Sequence, residues 1–323
     1  MKAREPGATS TSTSTATAPS PSHATPNLAK GRARLLLVGS AVSFGLMAVL
    51  ARLLSSRPGG FSAGQLTVVR FVVGAAVSLV AFRVRPGLYR PHNRRLLWSR
   101  GVSGGIVVVL YFLALQRIPA GEAGLLYNLF PVIAVLASIR AFGERPTIHL
   151  ALALLLATGG VVLVLGEGSL RIALGAGELF AVGAACFAAL SAVVIRAMRA
   201  TDNAATIFFY FCLGGLPVAL PFALGPWPAA GGPWMLAVLM GLAAYAAQVL
   251  MTEAYGALSI GEAAVWLQLT PIAQFLLAAL VLGELVTLSA ALGVLVGVAG
   301  VAYGTALGHR SRAPVVPRPE TVA

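Results

Sequence analysis

The chain has 323 residues, of which 58% are apolar and only 10% charged, and its mean hydropathy is +0.87. A soluble domain carries about 45–50% apolar and about 25% charged residues, which excludes a water-soluble globular protein. The net charge of +13 would suit a nucleic-acid partner only if the 23 Lys and Arg formed a patch, and they are instead spaced between apolar runs.

Residues 1–30 are dominated by Ser, Thr, Ala and Pro and are expected to form a disordered tail, because they cannot bury a core. The tail has no short apolar core followed by a small-residue cleavage site, so the first apolar run is read as a retained helix. Ten runs follow, at about 35–54, 66–82, 96–116, 123–139, 148–166, 172–195, 204–224, 235–258, 263–282 and 285–307. Each holds the roughly 17–25 residues that an α-helix needs to cross a ~30 Å hydrocarbon core. Residues 308–323 read as a second polar tail. The expected fold is therefore an all-α polytopic membrane protein.

Basic residues in short loops are retained on the cytoplasmic side. With the N-terminus inside, eighteen of the 23 basic residues fall on that side, among them Arg32, Arg34, Arg83, Arg85, Arg94, Arg95, Arg100, Arg140, Arg196 and Arg199. Arg52, Arg57, Arg117 and Arg171 fall outside, and Arg70 lies within a span. The charge is topological, nucleic acid is not a partner, and an even number of spans puts both termini in the cytoplasm. The excess of 21 Arg over 2 Lys points to a bacterial source and a bacterial plasma membrane. Cys186 and Cys212 lie in apolar runs, and the four histidines are scattered without ligand spacing, so neither a metal nor a cofactor is expected.

Shifting the chain by 140 residues aligns 114–162 with 254–302 at roughly fifteen identical positions. Gly121-Glu122-Ala123 meets Gly261-Glu262-Ala263, Pro131 meets Pro271, Gly143-Glu144 meets Gly283-Glu284, Thr147 meets Thr287, and Gly160 meets Gly300. Composition alone would not align all of these at one offset. The chain is read as a duplication, with five-helix units at 31–168 and 169–307. An odd number of spans per unit inverts the second against the first, a plan by which secondary transporters enclose a midplane site.

These features resemble the drug/metabolite transporter superfamily, and within it the EamA-type permeases with two tandem five-helix domains. The resemblance rests on the ten spans, the duplicated Gly-Glu, Pro and Gly-Glu pattern, and Arg70-Phe71 early in the second span, and it covers about residues 35–307. It implies a permease whose substrate could be an amino acid, sugar, nucleotide conjugate, polyamine or drug, and it leans toward export. The seventh span departs from the pattern in having no counterpart to Arg70.

A charge near the bilayer midplane is costly and marks a functional position unless it reaches the interface. Arg70, about nine residues or ~13 Å from the outer loop at 1.5 Å per residue, can face a substrate, form a structural ion pair or snorkel. Glu178, ~9 Å deep in the sixth span, is its depth-matched partner, as gate or strut. Glu253 lies near the cytoplasmic end of the eighth span, where it reaches the headgroups or couples transport to protons. Pro131 and Pro271 break their helices and free the carbonyls of Tyr127 and Leu267. Beside them Tyr127, Asn128, Trp266 and Gln268 form the wall of a polar cavity or bond between helices. Glu122, Glu262, Glu144 and Glu284 read as caps and hinges. Gly159-Gly160 and the pair Gly293 and Gly297 mark close packing behind the cavity or a homodimer seam through the fifth and tenth helices. Gly175-x-Gly177 lacks a third glycine, so no phosphate loop is indicated.

The expected function is a secondary active transporter exporting a small polar or amphipathic metabolite by alternating access, coupled to an ion or an exchanged solute. Arg70 in the cavity favours a carboxylate-bearing, amino-acid-like substrate. Dominance of Glu178 or Glu253 would instead favour cationic drugs or polyamines. A membrane scaffold and a membrane-embedded enzyme are the alternatives of another class.

Overall fold

The computed structural model describes residues 26–56, 58–115, 117–118, 120–165, 175–229, 231–283 and 285–307. Among these residues there is no strand, and ten helical stretches are long and apolar enough to cross a bilayer. The first three are α1 (Pro26–Ser55), α2 (Ala63–Val84) and α3 (Arg94–Leu115). The fourth is split into α4 (Ala120–Tyr127) and α5 (Phe130–Phe142), followed by α6 (Ile148–Leu165), α7 (Ala176–Met198), α8 (Ala204–Ala219) and α9 (Gly232–Ala254). The ninth is split into α10 (Ile260–Leu267) and α11 (Leu269–Leu282), and α12 (Leu288–Leu307) closes the bundle. Most of the tail expected over 1–30, the tail over 308–323, Arg57, Arg171 and Glu284 lie outside the described residues, as does the side chain of Glu122. Residues 26–30 correct the tail boundary: they already form the first turn of α1, where Pro26 needs no hydrogen-bond acceptor.

Local chemistry sets the helix ends. Ser62 and Gln65 form a capping box on α2, while Asn203 and Ser259 accept the third backbone amide of α8 and α10. The duplicated Gly-Glu after the fourth and ninth spans is explained by Gly143 and Gly283, at φ 63° and 68°, the left-handed conformation that ends a helix at little cost for glycine. The split of each of these spans falls two or three residues before Pro131 and Pro271, which cannot donate to the preceding turn.

The packing is two-fold. α1 lies against α9 and α11, as α7 lies against α3 and α5; α2 meets α8 and α6 meets α12 across the axis. At the first crossing a Cβ on Gly215 would lie 2.6 Å from the Phe71 ring, and one on Gly74 would lie 2.9 Å from Cys212 Sγ. At the second, a Cβ on Gly160 would lie 2.5 Å from Gly297 Cα, and one on Gly300 2.6 Å from the Ala157 nitrogen. In both crossings one residue number rises as the other falls, so the paired helices are antiparallel and the five-helix units are inverted. Of the glycines that suggested a seam between copies, Gly160 and Gly293 lie in this chain's own α6–α12 contact, while Gly159 meets nothing within 4 Å. Large apolar side chains such as Leu35, Leu79, Leu155, Leu280 and Leu295 remain exposed around the bundle, as a lipid-facing surface requires.

Candidate functional site

The cap at Ser62 places Arg70 two turns inside α2, ~10 Å from its start. Its guanidinium lies 3.9 Å from Met47 Sδ of α1 and 5.7 Å from the ring centres of Phe71 and of Phe211 on α8. Its Nε is buried without a hydrogen-bond partner, and no carboxylate among the described residues pairs with it. The expected pairing with Glu178 is therefore corrected. Glu178 stands in the first turn of α7 with its carboxylate folded back toward Gly175, where it complements the positive end of the helix dipole.

Arg100 is a site residue that its sequence position concealed. Counted with the loop arginines, it instead lies inside α3 and is only 5% exposed. Its guanidinium occupies the space a side chain on Gly104 would fill, 4.2 Å from the same Phe211 ring, and its Nε and Nη1 have no partner. The signal that could have revealed it is the glycine run that follows. Gly101 and Gly105 press against α8, so Arg100, one turn before Gly104, faces inward. Two cations thus share one ring. A desolvated cation gains about 2 kcal/mol from an aromatic face, against several kcal/mol per ion lost on leaving water, and the two charges also repel each other.

Tyr127, at the end of α4, packs between Tyr111 and Phe130 with ring centres 5.1 and 5.4 Å away. Asn128 donates to the Gly124 carbonyl of its own helix at 2.8 Å. Gln268 donates to Thr158 Oγ1 of α6 at 2.8 Å and keeps a buried Oε1 without a partner, while Trp266 packs among apolar side chains of the core. The structure thus groups Arg70 and Arg100 on the Phe211 ring, stacks Tyr127 with Tyr111 and Phe130, and turns Gln268 toward α6.

The loops rich in arginine gather at one end of the bundle and are tied there. Arg34 Nε donates to Glu262 at 3.0 Å, with Lys30 3.8 Å from the other carboxylate oxygen. Arg196 pairs with Glu144 at 3.3 Å and donates to the carbonyls of Tyr255 and Leu258. Glu144 also accepts from the Ile260 amide. Both groups join the two halves. Glu253 pairs with Arg199 at 3.0 Å within the second half, and Asp202 accepts from the His92 amide at 2.8 Å. Glu144 and Glu262 therefore act as ties between helices as well as helix-end residues.

Two inverted five-helix units around a pair of buried cations can hold an anion between them. The sequence matches the EamA-like transporter family over residues 31–166 and again over 175–304. The chain belongs to that family. Among EamA-like relatives it is 28% identical over 226 residues to the pseudopaline exporter CntI of Pseudomonas aeruginosa, covering 68% of this chain and 77% of that one. It is 29% identical over 215 residues to the aromatic amino acid exporter YddG of Ancylobacter novellus, covering 63% and 75%. A solved crystal structure shares the fold at a TM-score of 0.73 and 22% identity, covering 87% of this chain and 98% of that one. The EamA-like family and these relatives are transporters, so the protein is a multi-pass membrane permease for a small molecule and not an enzyme.

Proposed function

We propose that the protein exports a small carboxylate-bearing, amino-acid-like metabolite across the bacterial cytoplasmic membrane by alternating access, with Arg70 as the anion anchor. The observation that carries this reading is a guanidinium deep in the bundle with no carboxylate among the described residues to neutralise it. Guanidinium recognises carboxylate through paired hydrogen bonds, and a substrate anion supplies the missing charge. The cation-exporting alternative has no such support, because Glu144, Glu178, Asp202, Glu253 and Glu262 all stand at helix ends with partners or dipoles of their own. Two exporters among its relatives, one of aromatic amino acids, point the same way.

In this reading the arginine-rich end faces the cytoplasm. Glu253 and Arg199 pair within the second half, while the ties of Glu262 to Arg34 and of Glu144 to Arg196 join the halves and hold this end closed. Opening requires the two halves to part at these pairs, and energy comes from an ion gradient or an exchanged solute. One chain forms the transport unit, since α6 and α12 fill each other's glycine faces.

Untargeted profiling of medium from cells overproducing the protein, compared with cells lacking it, tests the proposal. An amino-acid-like acid should accumulate outside the producers and stay inside cells making an equal amount of Arg70→Gln. Enrichment of a polyamine, or undiminished export by Arg70→Gln, overturns it.

A further inference from the structure

Arg100 is buried as deeply as a core residue, yet two of its guanidinium nitrogens have no acceptor and no carboxylate among the described residues pairs with it. A merely structural arginine at this depth would be tied to a backbone carbonyl or an acid, as Arg196 and Arg199 are in this same chain. Arg100 and Arg70 instead rest on the same Phe211 ring, with guanidinium carbons 4.2 and 5.7 Å from its centre. At ~9 Å from the start of α3, Arg100 is nearer the arginine-rich end than Arg70. A ligand bearing one negative charge neutralises one of these cations and leaves the other bare. A ligand bearing two satisfies both, with its carbon skeleton against the ring.

We propose that Arg70 and Arg100 together form a receptor for a ligand with two anionic groups, and that Arg100 selects dicarboxylates over monocarboxylates. This rests on the reading of Arg70 as the anion anchor and names the substrate class that the anchor accepts. It follows from two guanidinium groups on one ring, each with a buried nitrogen that has no hydrogen-bond partner, and not from any single charge.

The test is the thermal unfolding midpoint of the purified full chain in nanodiscs, titrated with succinate, glutarate and adipate and, in parallel, with butyrate. For the wild type, the dicarboxylate of best-fitting length should bind at least about tenfold more tightly than butyrate, one missing charge-assisted contact being worth about a factor of ten. Arg100→Gln should lose that preference, its dicarboxylate affinities falling to within about twofold of its own butyrate affinity. Arg100→Lys, which keeps the charge without the fork, should retain a reduced preference and is decisive if the Gln variant does not fold. A preference unchanged in either variant, or no preference in the wild type, overturns the proposal. Arg70→Gln separates the two readings. It should bind neither class of probe, and if it still binds butyrate the anchor itself is wrong, whereas loss of binding there with an intact preference in Arg100→Gln removes only the second cation.

Discussion

The two halves of the chain repeat the same helices with different charge. Arg70 stands eight residues after the cap Ser62, and the eighth residue after the equivalent cap Asn203 is Phe211, the ring on which both arginines rest. At the 140-residue offset the counterpart of Arg100 is Met240, packed in an apolar cluster with Leu54, Phe61 and Leu66. The backbone crossings, by contrast, obey the two-fold closely. A Cβ on Gly101 would lie 2.9 Å from Gly214 Cα, and one on Gly241 would lie 2.8 Å from Val73 Cβ, at the equivalent place in the other half. Close helix approach needs a small residue at each crossing, so duplication preserves the glycines together. Side chains lining the axis carry no such constraint, and a symmetric scaffold can hold a site with both cations on one side.

The sharpest way to break this comparison is to move the charge across the axis. Arg70→Phe should lower substrate flux into proteoliposomes by about a hundredfold, the loss of a paired charge-assisted contact. If position in the repeat is what counts, adding Phe211→Arg should restore flux to within about tenfold of the wild type; a double variant no better than Arg70→Phe would show that the surroundings, and not the symmetry, decide. The second test concerns the scaffold. Gly160→Ala should cost about 1–3 kcal/mol, read as a lower unfolding midpoint, because its new methyl meets the α12 backbone. Gly159→Ala meets nothing within 4 Å and should be neutral or stabilising by up to about 1 kcal/mol. Equal midpoints for the two variants would deny the α6–α12 contact.

Features that depend on the length of a span or on local backbone chemistry were legible in the sequence. The ten spans follow from bilayer thickness, the breaks from Pro131 and Pro271, and the inversion from the odd span count of each repeat. Features that depend on the direction a side chain faces around its helix were not. Depth arithmetic puts Arg70 and Glu178 at similar levels, but α2 packs mainly on α8 and α9 while α7 packs mainly on α3 and α5, so the two never meet. Counting basic residues by loop placed Arg100 among headgroup arginines, because the inward face of α3 becomes evident only once α8 is seen against Gly101 and Gly105. The glycines of the fifth and tenth spans announced a close contact, yet spacing alone cannot tell a helix of the same chain from one of a second copy.

The smallest effects should separate the ties between halves from the pair within one half. The Glu144 side chain is 10% exposed and its partner Arg196 18%, whereas the Glu253 side chain is 44% exposed. Glu144→Gln removes the countercharge of a largely enclosed arginine while its amide oxygen still accepts from the Ile260 amide, and should cost about 1–3 kcal/mol. Glu253→Gln removes an ion pair that water already screens, and should cost about 0.2–1 kcal/mol. Salt discriminates between them. Raising ionic strength toward 1 M shortens the screening length to about 3 Å and should erase the Glu253 difference in unfolding midpoint while leaving most of the Glu144 difference in place. Equal sensitivity to salt would mean that both pairs are surface contacts, and that the arginine-rich end is held closed by apolar packing alone.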